Sequence, residues 1–191
     1  YQVTIILAKR KGEIRMRTVI IGSGNTATVL GKKILTAGHQ VVQVAGRNRI
    51  STEQLAAMLK ADAADVTGIS KDADIFILAI PDDAIAEVTW QLNLDKKLVV
   101  HTAGSVSKDV LKACSRNYGI LWPVQSLRKE INELPEIPFL IDGNTPDNLA
   151  VIAEFALSMQ GEVKIAGDEE RLKLHLAGVM VRQNRAERRR V

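Results

Sequence analysis

The sequence predicts an α/β fold with a doubly wound, mostly parallel sheet, followed by the start of a truncated helical C-terminal domain. From Arg17 onward, short apolar runs alternate with helical segments, as in a sheet whose parallel strands are joined by crossover helices. Apolar residues make up 46% of the 191 residues, enough for a sizeable core, which excludes a disordered chain. A last, strongly apolar helical segment follows the alternating pattern.

The first half of the chain supplies the start of the sheet. Segments rich in β-branched or apolar residues are predicted as strands at 17–21, 40–45, 66–69 and 75–80, the last of them buried on both faces. The first intervening helix, 26–37, is closed by Gly38. Ser51 with Gln54 three residues later predicts a capping box for a second helix that runs through Leu59.

The second half continues the same alternation. Helices are predicted over 82–92 and 106–115, and extended segments at 97–101, 119–124, 137–141 and 162–166, with a polar loop at 125–136. Thr145 before Pro146 predicts a helix N-terminus, and Gly161 predicts its end. The acidic run from Asp168 predicts the first turn of the last helix.

The two ends of the chain differ from its body. The net charge of +4 comes from residues 1–15, with +3, and residues 182–191, with +4, so residues 16–181 carry −3. Nucleic-acid binding needs basic charge gathered on a folded surface, so no nucleic-acid partner is predicted. We predict an N-terminal extension (1–15), a dinucleotide-binding domain (16–166) and the start of a helical domain with an atypical basic tail (167–191).

Cysteine and hydropathy restrict the setting of the protein. The single cysteine, Cys114, excludes an internal disulfide and, without a histidine cluster, a structural zinc site; no metal is predicted. The apolar residues 1–8 are too few to span a bilayer, and basic residues follow them instead of preceding them as in a signal peptide. A cytoplasmic protein without a membrane role is expected.

A glycine motif follows the first strand. Gly22-Ser23-Gly24-Asn25-Thr26-Ala27 matches G-x-G-x-x-A between a strand and a helix, the phosphate-binding turn of a Rossmann-type domain. Gly22 permits the tight turn, Gly24 lets the backbone approach a pyrophosphate, and Ala27 lets helix and strand pack closely. The amide groups and dipole at the helix start then favour phosphate. The alternative is that these small residues serve packing alone.

The end of the second strand indicates which dinucleotide is bound. An NAD site normally has a carboxylate there, about 20 residues beyond the motif, which bonds the ribose 2′-hydroxyl. Here the residues are Val44-Ala45-Gly46-Arg47-Asn48-Arg49, and the guanidinium of Arg47 can bind a 2′-phosphate in a fork, with Asn48 beside it. NADP is therefore predicted over NAD; the alternative is that Arg47 and Arg49 are solvated loop charges.

Two loops at the carboxyl ends of later strands are predicted to complete the cofactor site. They are Ala79-Ile80-Pro81-Asp82 and His101-Thr102-Ala103-Gly104-Ser105, and in the second loop Thr102 and Gly104 are the candidate cofactor residues. His101 is a candidate to exchange a proton near the hydride, because an ordinary imidazole titrates near neutral pH. The alternative is a strand-end histidine bonded to backbone.

The other histidines and a tryptophan segment are also candidates. His175 is a second candidate catalytic residue, although a histidine on the apolar face of a helix can equally be a core residue. His39 is expected to be structural, in the turn between the first helix and the second strand. Trp122-Pro123-Val124-Gln125-Ser126 is expected either to line a pocket opposite the cofactor or to form a sheet edge with a buried indole.

From Met16 to Val181 the chain resembles the Rossmann-like oxidoreductases that carry a helical C-terminal domain known as domain of unknown function 2520. The resemblance rests on the glycine motif, the two loops just described, residues 119–126, and Arg171-Leu172-Lys173-Leu174-His175-Leu176-Ala177. It implies that the chain is related to pyrroline-5-carboxylate reductase and to deazaflavin-dependent NADP reductases. That relationship in turn implies that the cofactor is NADP and that C-terminal helices form a homodimer. The arginine-rich tail after Val181 departs from that pattern.

These observations predict an NADP-dependent oxidoreductase that transfers a hydride to or from an unidentified small molecule. The cofactor would carry the reaction and the protein would orient it. The alternative is a non-catalytic NADP-binding protein, either a sensor or a truncated remnant of a dehydrogenase.

Overall fold

Eight strands form one sheet flanked by five helices in residues 15–130 and 134–188, which the computed structural model describes, with side chains as far as Gly178. The strands are β1 (Arg17–Ile21), β2 (Gln40–Ala45), β3 (Asp62–Ala64), β4 (Ile75–Leu78), β5 (Asp95–His101), β6 (Ser115–Pro123), β7 (Phe139–Gly143) and β8 (Val163–Ile165). The helices are α1 (Asn25–Thr36), α2 (Arg49–Leu59), α3 (Ile85–Gln91), α4 (Pro146–Ser158) and α5 (Asp168–Arg188). The predicted N-terminal extension lies outside the described residues, apart from Arg15.

The strand order is β3-β2-β1-β4-β5-β6-β7-β8. The first six strands are parallel, β7 runs antiparallel to β6, and β8 is parallel to β7. The chain leaves β1 toward β2 on one side and later returns to β4 on the other, so the order reverses between β1 and β4. This topological switch point is where doubly wound sheets bind ligands. The predicted fold class, a doubly wound and mostly parallel sheet, is confirmed.

Both faces of the sheet are buried, and β1 shows how. Ile20 packs with Leu30, Ile34 and Leu55 of α1 and α2 on one face. Its neighbours Val19 and Ile21 point to the other face, among side chains from α3 and the segments around it. Because successive side chains of a strand alternate between faces, a central strand covered on both sides must be apolar throughout. The continuous apolar run was therefore sufficient to predict this strand.

Helix α4 begins and is capped as predicted. The hydroxyl of Thr145 accepts a hydrogen bond from the amide of Asn148 at 3.1 Å, and Pro146 occupies the first helical position. The helix ends at Ser158, and Gln160 then adopts a left-handed conformation with φ of 58°. Gly161 therefore lies beyond the residue that ends the helix.

The third strand was predicted at the wrong place. It is Asp62–Ala64, while Val66–Gly68 forms a 3-10 turn. The cause is Asp65, whose carboxylate accepts hydrogen bonds from the amides of Thr67 and Gly68, both at 2.8 Å. Such a local side-chain bond gives the backbone an alternative to the ladder of a sheet.

Two helix starts also differ from the prediction. A capping box at Ser51 would start helix α2 at Thr52. The helix instead begins three residues earlier, at Arg49, because the side chain of Asn48 accepts a hydrogen bond from the amide of Ser51 at 3.0 Å. The segment predicted as helix over 106–115 is a 3-10 helix, Lys108–Ala113, stabilised at its start by Ser107. A further 3-10 turn, Asp82–Ala84, precedes α3.

Helix α5 follows the sheet, and its backbone stays helical through Arg188, beyond the point where the apolar pattern ends. Leu172, Leu174 and Leu176 are 40–50% exposed, so part of the apolar surface of this helix stays uncovered in the described chain. Both edge strands of the sheet, β3 and β8, are only three residues long. Every helix in the described part of the chain is too short or too polar to cross a lipid bilayer.

Candidate functional site

The glycine turn lies where β1, β2 and β4 end. Gly22 has a φ of +123°, and its amide donates to the carbonyl oxygen of Ala45 at 2.7 Å. A Cβ at this position would lie 2.2 Å from the carbonyl oxygen of Ala79. Only glycine satisfies both conditions, because other residues rarely adopt this φ and would also collide with the backbone of the next strand. The predicted role of Gly22 in a tight turn is therefore a steric necessity.

The start of α1 is open to a ligand. Gly24 caps the helix without a side-chain hydrogen bond, the first turn holds no acidic residue, and a Cβ on Gly24 would meet nothing within 4 Å. The free amides at the start of a helix carry partial positive charge and bind anions. Space and donors thus coincide at the predicted pyrophosphate position, so these residues fit a dinucleotide.

A cavity of about 440 Å³ extends from this turn along the carboxyl ends of β1, β2, β4 and β5. The cavity is lined by all the predicted cofactor residues except Ala27 and Gly104: Gly22, Ser23, Gly24, Asn25, Thr26, Arg47, Asn48, Ala79, Ile80, Pro81, Asp82 and Thr102. Five further lining residues were not predicted from the sequence: Ile21, Gly46, Val66, Ala84 and Val88. Ala27 is fully buried in the core, where it packs α1 against the sheet. Its side chain does not reach the cavity.

Arg47 lies at the end of the cavity formed by the loop after β2. It is exposed, and in residues 15–130 and 134–178 it forms neither an ion pair nor a side-chain hydrogen bond. Arg49, in contrast, lines no part of this cavity and is paired with Glu53. The side chain of Asn48 is engaged as the cap of α2. Of the two arginines in this loop, Arg47 is therefore the one available to a ligand.

The loops after β4 and β5 are joined at the opposite end of the cavity. Ser105 donates a short hydrogen bond to the carboxylate of Asp82, and the amide of Thr102 donates to the carbonyl oxygen of Leu78 at 3.1 Å. Pro81 and Asp82 are exposed at the rim. These contacts hold the two loops together beside the switch point.

His101 does not face the cavity. Its side chain is fully buried, Nδ1 accepts from the amide of Ala103 at 3.2 Å, and Nε2 lies 3.3 Å from the carbonyl oxygen of Ser107. One neutral tautomer, with the proton on Nε2, satisfies both contacts. Burial is the main cause that lowers the pKa of His101 to about 4. The structure does not support the predicted proton exchange by His101; it fits the alternative of a strand-end histidine bonded to backbone.

His39 has the structural role that was predicted. Its Nδ1 accepts from the amide of Met16 at 3.1 Å, and its Nε2 lies 2.7 Å from the hydroxyl of Ser158. The ring also lies against Phe155, with 5.0 Å between the ring centres. These contacts tie the start of β1 to the end of α4, away from the cavity.

His175, Trp122 and Gly104 come together next to the loop after β5. The centres of the Trp122 and His175 rings are 5.9 Å apart. A Cβ on Gly104 would lie 2.7 Å from Nδ1 of His175 and from two atoms of the Trp122 indole. The absence of a side chain at Gly104 therefore permits α5 to approach this loop. This packing accounts for a glycine at position 104 without a direct contact to a cofactor. Both rings are half-buried, so His175 is not a core residue in the described chain, and Trp122 is not fully buried.

Polar contacts fix the first turns of α5 against the domain. Arg171, which is 1% exposed, donates to the carbonyl oxygen of Val106 at 2.6 Å and to Asp168 at 2.7 Å. Ser107 donates a short hydrogen bond to the same carboxylate. Partial burial disfavours the ionised form of Asp168, but the bonds from Ser107 and Arg171 outweigh it and lower the pKa of that carboxyl. The position of His175, one turn after Arg171, is thus set by a network of hydrogen bonds.

The described residues support neither a cysteine nucleophile nor a metal site. Cys114 is buried, and burial raises the pKa of its thiol to about 11, so it is not a nucleophile at neutral pH. No group of three or more His, Cys, Asp or Glu side chains in this part of the chain could hold a metal ion.

The fold and the cleft define a dinucleotide-binding domain of the kind found in NAD(P)-dependent oxidoreductases. The family model described as "NADP oxidoreductase coenzyme F420-dependent" matches residues 17–105. The crystal structure of a proposed NADP oxidoreductase from Bacteroides fragilis has a TM-score of 0.85 and 30% identity, over 92% of this chain and 70% of that one. The chain belongs to this NADP oxidoreductase family.

More distant structures share the fold. The 1-pyrroline-5-carboxylate reductase of Streptococcus pyogenes matches with a TM-score of 0.66 and 17% identity, over 81% of this chain and 60% of that one. A reductive aminase from Aspergillus terreus, solved with NADPH and ethyl-5-oxohexanoate, matches with a TM-score of 0.64 and 17% identity, over 91% and 62%. This chain thus spans less than two thirds of either protein. No curated protein sequence matches it.

Several predictions made from the sequence are tested neither by the structure nor by the similar proteins. The narrower assignment, to proteins with the C-terminal domain of unknown function, stays a prediction, because the family match ends at residue 105. The homodimer, the small-molecule substrate and the cytoplasmic setting also stay predictions.

Proposed function

We propose that the protein is an NADP-dependent oxidoreductase that transfers a hydride between the cofactor and a small molecule. The observation that carries this proposal is a single cavity with a free helix N-terminus in its middle, an unpaired arginine at one end and the loops after β4 and β5 at the other. Family membership favours this function over the alternative of a non-catalytic NADP-binding protein.

In this arrangement each part of the cavity would hold one part of the cofactor. The amides that follow Gly24 would bind the pyrophosphate, and Arg47 would bind the 2′-phosphate in a charge-assisted pair. Pro81 and Thr102 would border the nicotinamide, at the switch point of the sheet. When bound, the cofactor supplies or accepts the hydride. The protein binds and orients it.

Direct titration of the protein with NADPH and with NADH tests the cofactor assignment. A hydrogen bond to a charged group contributes about 1.5–3 kcal/mol, so NADPH should bind about tenfold or more tightly than NADH when cofactor fluorescence is followed. The added phosphate is the only difference between the two ligands. Tighter binding of NADH would contradict the assignment of NADP, and binding of neither would contradict the proposed function.

We also propose that His175 is the residue that exchanges a proton with the substrate. It is the histidine whose ring nitrogens form no hydrogen bond in the described residues, whereas both nitrogens of His39 and of His101 are engaged. His175 lies against Gly104, which is two residues along the chain from Thr102, a residue that lines the cavity. An imidazole can act both as a proton donor and as a proton acceptor.

Chemical modification tests this placement without a known substrate. Diethyl pyrocarbonate should modify His175 faster than His39 or His101, because these two are buried and hydrogen-bonded. Saturating NADP⁺ should slow the reaction of His175, whereas 2′-phospho-ADP-ribose, which lacks nicotinamide, should not. Mass spectrometry assigns the modified residue. If bound NADP⁺ gives no protection, His175 does not border the nicotinamide.

A further inference from the structure

A second cavity adjoins the proposed cofactor site on the far side of the loop after β2. It has a volume of about 470 Å³ and shares Gly46 and Arg47 with the first cavity. Charged side chains of both signs line it: Arg47, Arg49, Glu53 and Asp65. The charges of these four groups sum to zero, so their pairing decides which of them is left to act on a phosphate bound at Arg47.

The two carboxylates are engaged differently. Asp65 accepts hydrogen bonds from Thr67 and Gly68 of its own turn, which lower the pKa of its carboxyl. Glu53 accepts from Nε of Arg49 at 2.7 Å, across one turn of α2. This hydrogen bond and the charge of Glu53 raise the pKa of Arg49. Glu53 is thus the carboxylate paired with a guanidinium beside the proposed site, through the Nε–H group of Arg49.

We propose that Glu53 is a specificity-determining residue, which limits the preference of this protein for NADP(H) over NAD(H). Its carboxylate holds Arg49 away from the 2′-phosphate, so Arg47 alone is left to bind it. Its negative charge also weakens phosphate binding, because it offsets the positive charge of Arg49. NAD(H) carries no 2′-phosphate and is indifferent to both effects. The inference rests on the proposed cofactor assignment.

Neutralising this carboxylate tests the inference. In E53Q, Arg49 is free to turn toward the phosphate, so the Kd for NADPH should fall by about three- to fivefold at low ionic strength, as expected for one exposed charge several ångströms away. The Kd for NADH should not change. Because both groups are exposed, the gain should shrink as salt is raised to physiological ionic strength.

A double-mutant cycle separates the two effects of Glu53. R49Q leaves the carboxylate uncompensated and should weaken NADPH binding, whereas R49Q combined with E53Q should return its Kd close to that of the wild type. Glu162→Gln is the matched control, because Glu162 is exposed and adjoins β8, at the opposite edge of the sheet from the β3 edge. It should leave both Kd values unchanged.

The outcomes distinguish this inference from the function on which it rests. Unchanged or weaker NADPH binding by E53Q would overturn the role of Glu53 while the cofactor assignment stands. An equal change in the Kd for NADPH and NADH would also overturn it, because the effect would not depend on the 2′-phosphate. If the wild-type protein binds NADH but not NADPH, the cofactor assignment itself is wrong and the inference fails with it.

Discussion

Replacing Gly22 with alanine is expected to destabilise the protein more than any other single substitution considered for this site. The new side chain would have to adopt a φ of +123°, and its Cβ would lie 2.2 Å from the carbonyl oxygen of Ala79, an atom of the backbone. Backbone strain of this kind costs about 1–3 kcal/mol, and overpacking costs a further 1–3 kcal/mol or so. The free energy of unfolding should therefore fall by about 2–6 kcal/mol, and Tm by about 10 °C, as measured by thermal unfolding.

Gly24→Ala is the control, because it adds the same methyl group two residues away. Gly24 has a φ of −85°, and nothing lies within 4 Å of its added Cβ. Its unfolding free energy should stay within about 1 kcal/mol of the wild type. The methyl group would instead occupy space proposed for the pyrophosphate, so cofactor binding should weaken. Similar losses of Tm in G22A and G24A would show that the contact with Ala79 is not what requires glycine.

Replacing Arg47 with alanine is expected to produce the largest change in cofactor binding. The substitution would remove the proposed charge-assisted pair with the 2′-phosphate, worth about 1.5–3 kcal/mol, so the Kd for NADPH should rise by a factor of roughly 10 to 100. The Kd for NADH should change little, because that ligand has no 2′-phosphate for Arg47 to bind. Titration of both ligands by fluorescence measures the two constants in one experiment. Because Arg47 is exposed and unpaired in the described structure, its loss should not affect folding.

Two further variants define the geometry of this contact. Arg47→Lys keeps the charge but lacks the planar fork, so its Kd for NADPH should lie between those of the wild type and R47A. Arg116→Ala removes an exposed arginine on β6 that is paired with Asp95, and it should leave both cofactors unaffected. An equal loss of NADPH and NADH binding in R47A would disprove a role in selecting the 2′-phosphate.

The sheet could be predicted because its central strands are covered on both faces, which leaves continuous apolar runs such as Ile75–Leu78. The short third strand could not. Asp62–Ala64 is an edge strand with no apolar pattern, and the more apolar Val66 that follows it is drawn into a turn by the carboxylate of Asp65. Here a local hydrogen bond outweighs strand propensity, which is weak at the edge of a sheet.

The residues of the candidate cofactor cavity were also largely predictable, because most of them lie in the turns that end β1, β2, β4 and β5. Three apolar residues were not: Val66, Ala84 and Val88 reach the cavity from two 3-10 turns and a helix whose packing only the fold defines. Such residues could have been sought in the segments that follow each strand. His101, in contrast, was predicted to act in the site but does not line the cavity. It lies at the end of a strand, but it faces inward and both of its ring nitrogens are occupied.

The length of the outermost strands affects how copies of this protein can meet. An open sheet exposes unpaired amide and carbonyl groups along its borders, and long borders of that kind recruit further strands and lead to aggregation. In this chain β3 and β8 each offer only three residues, and Asp62 and Lys164 add charge there. Continuation of the sheet from one molecule into the next is thereby discouraged.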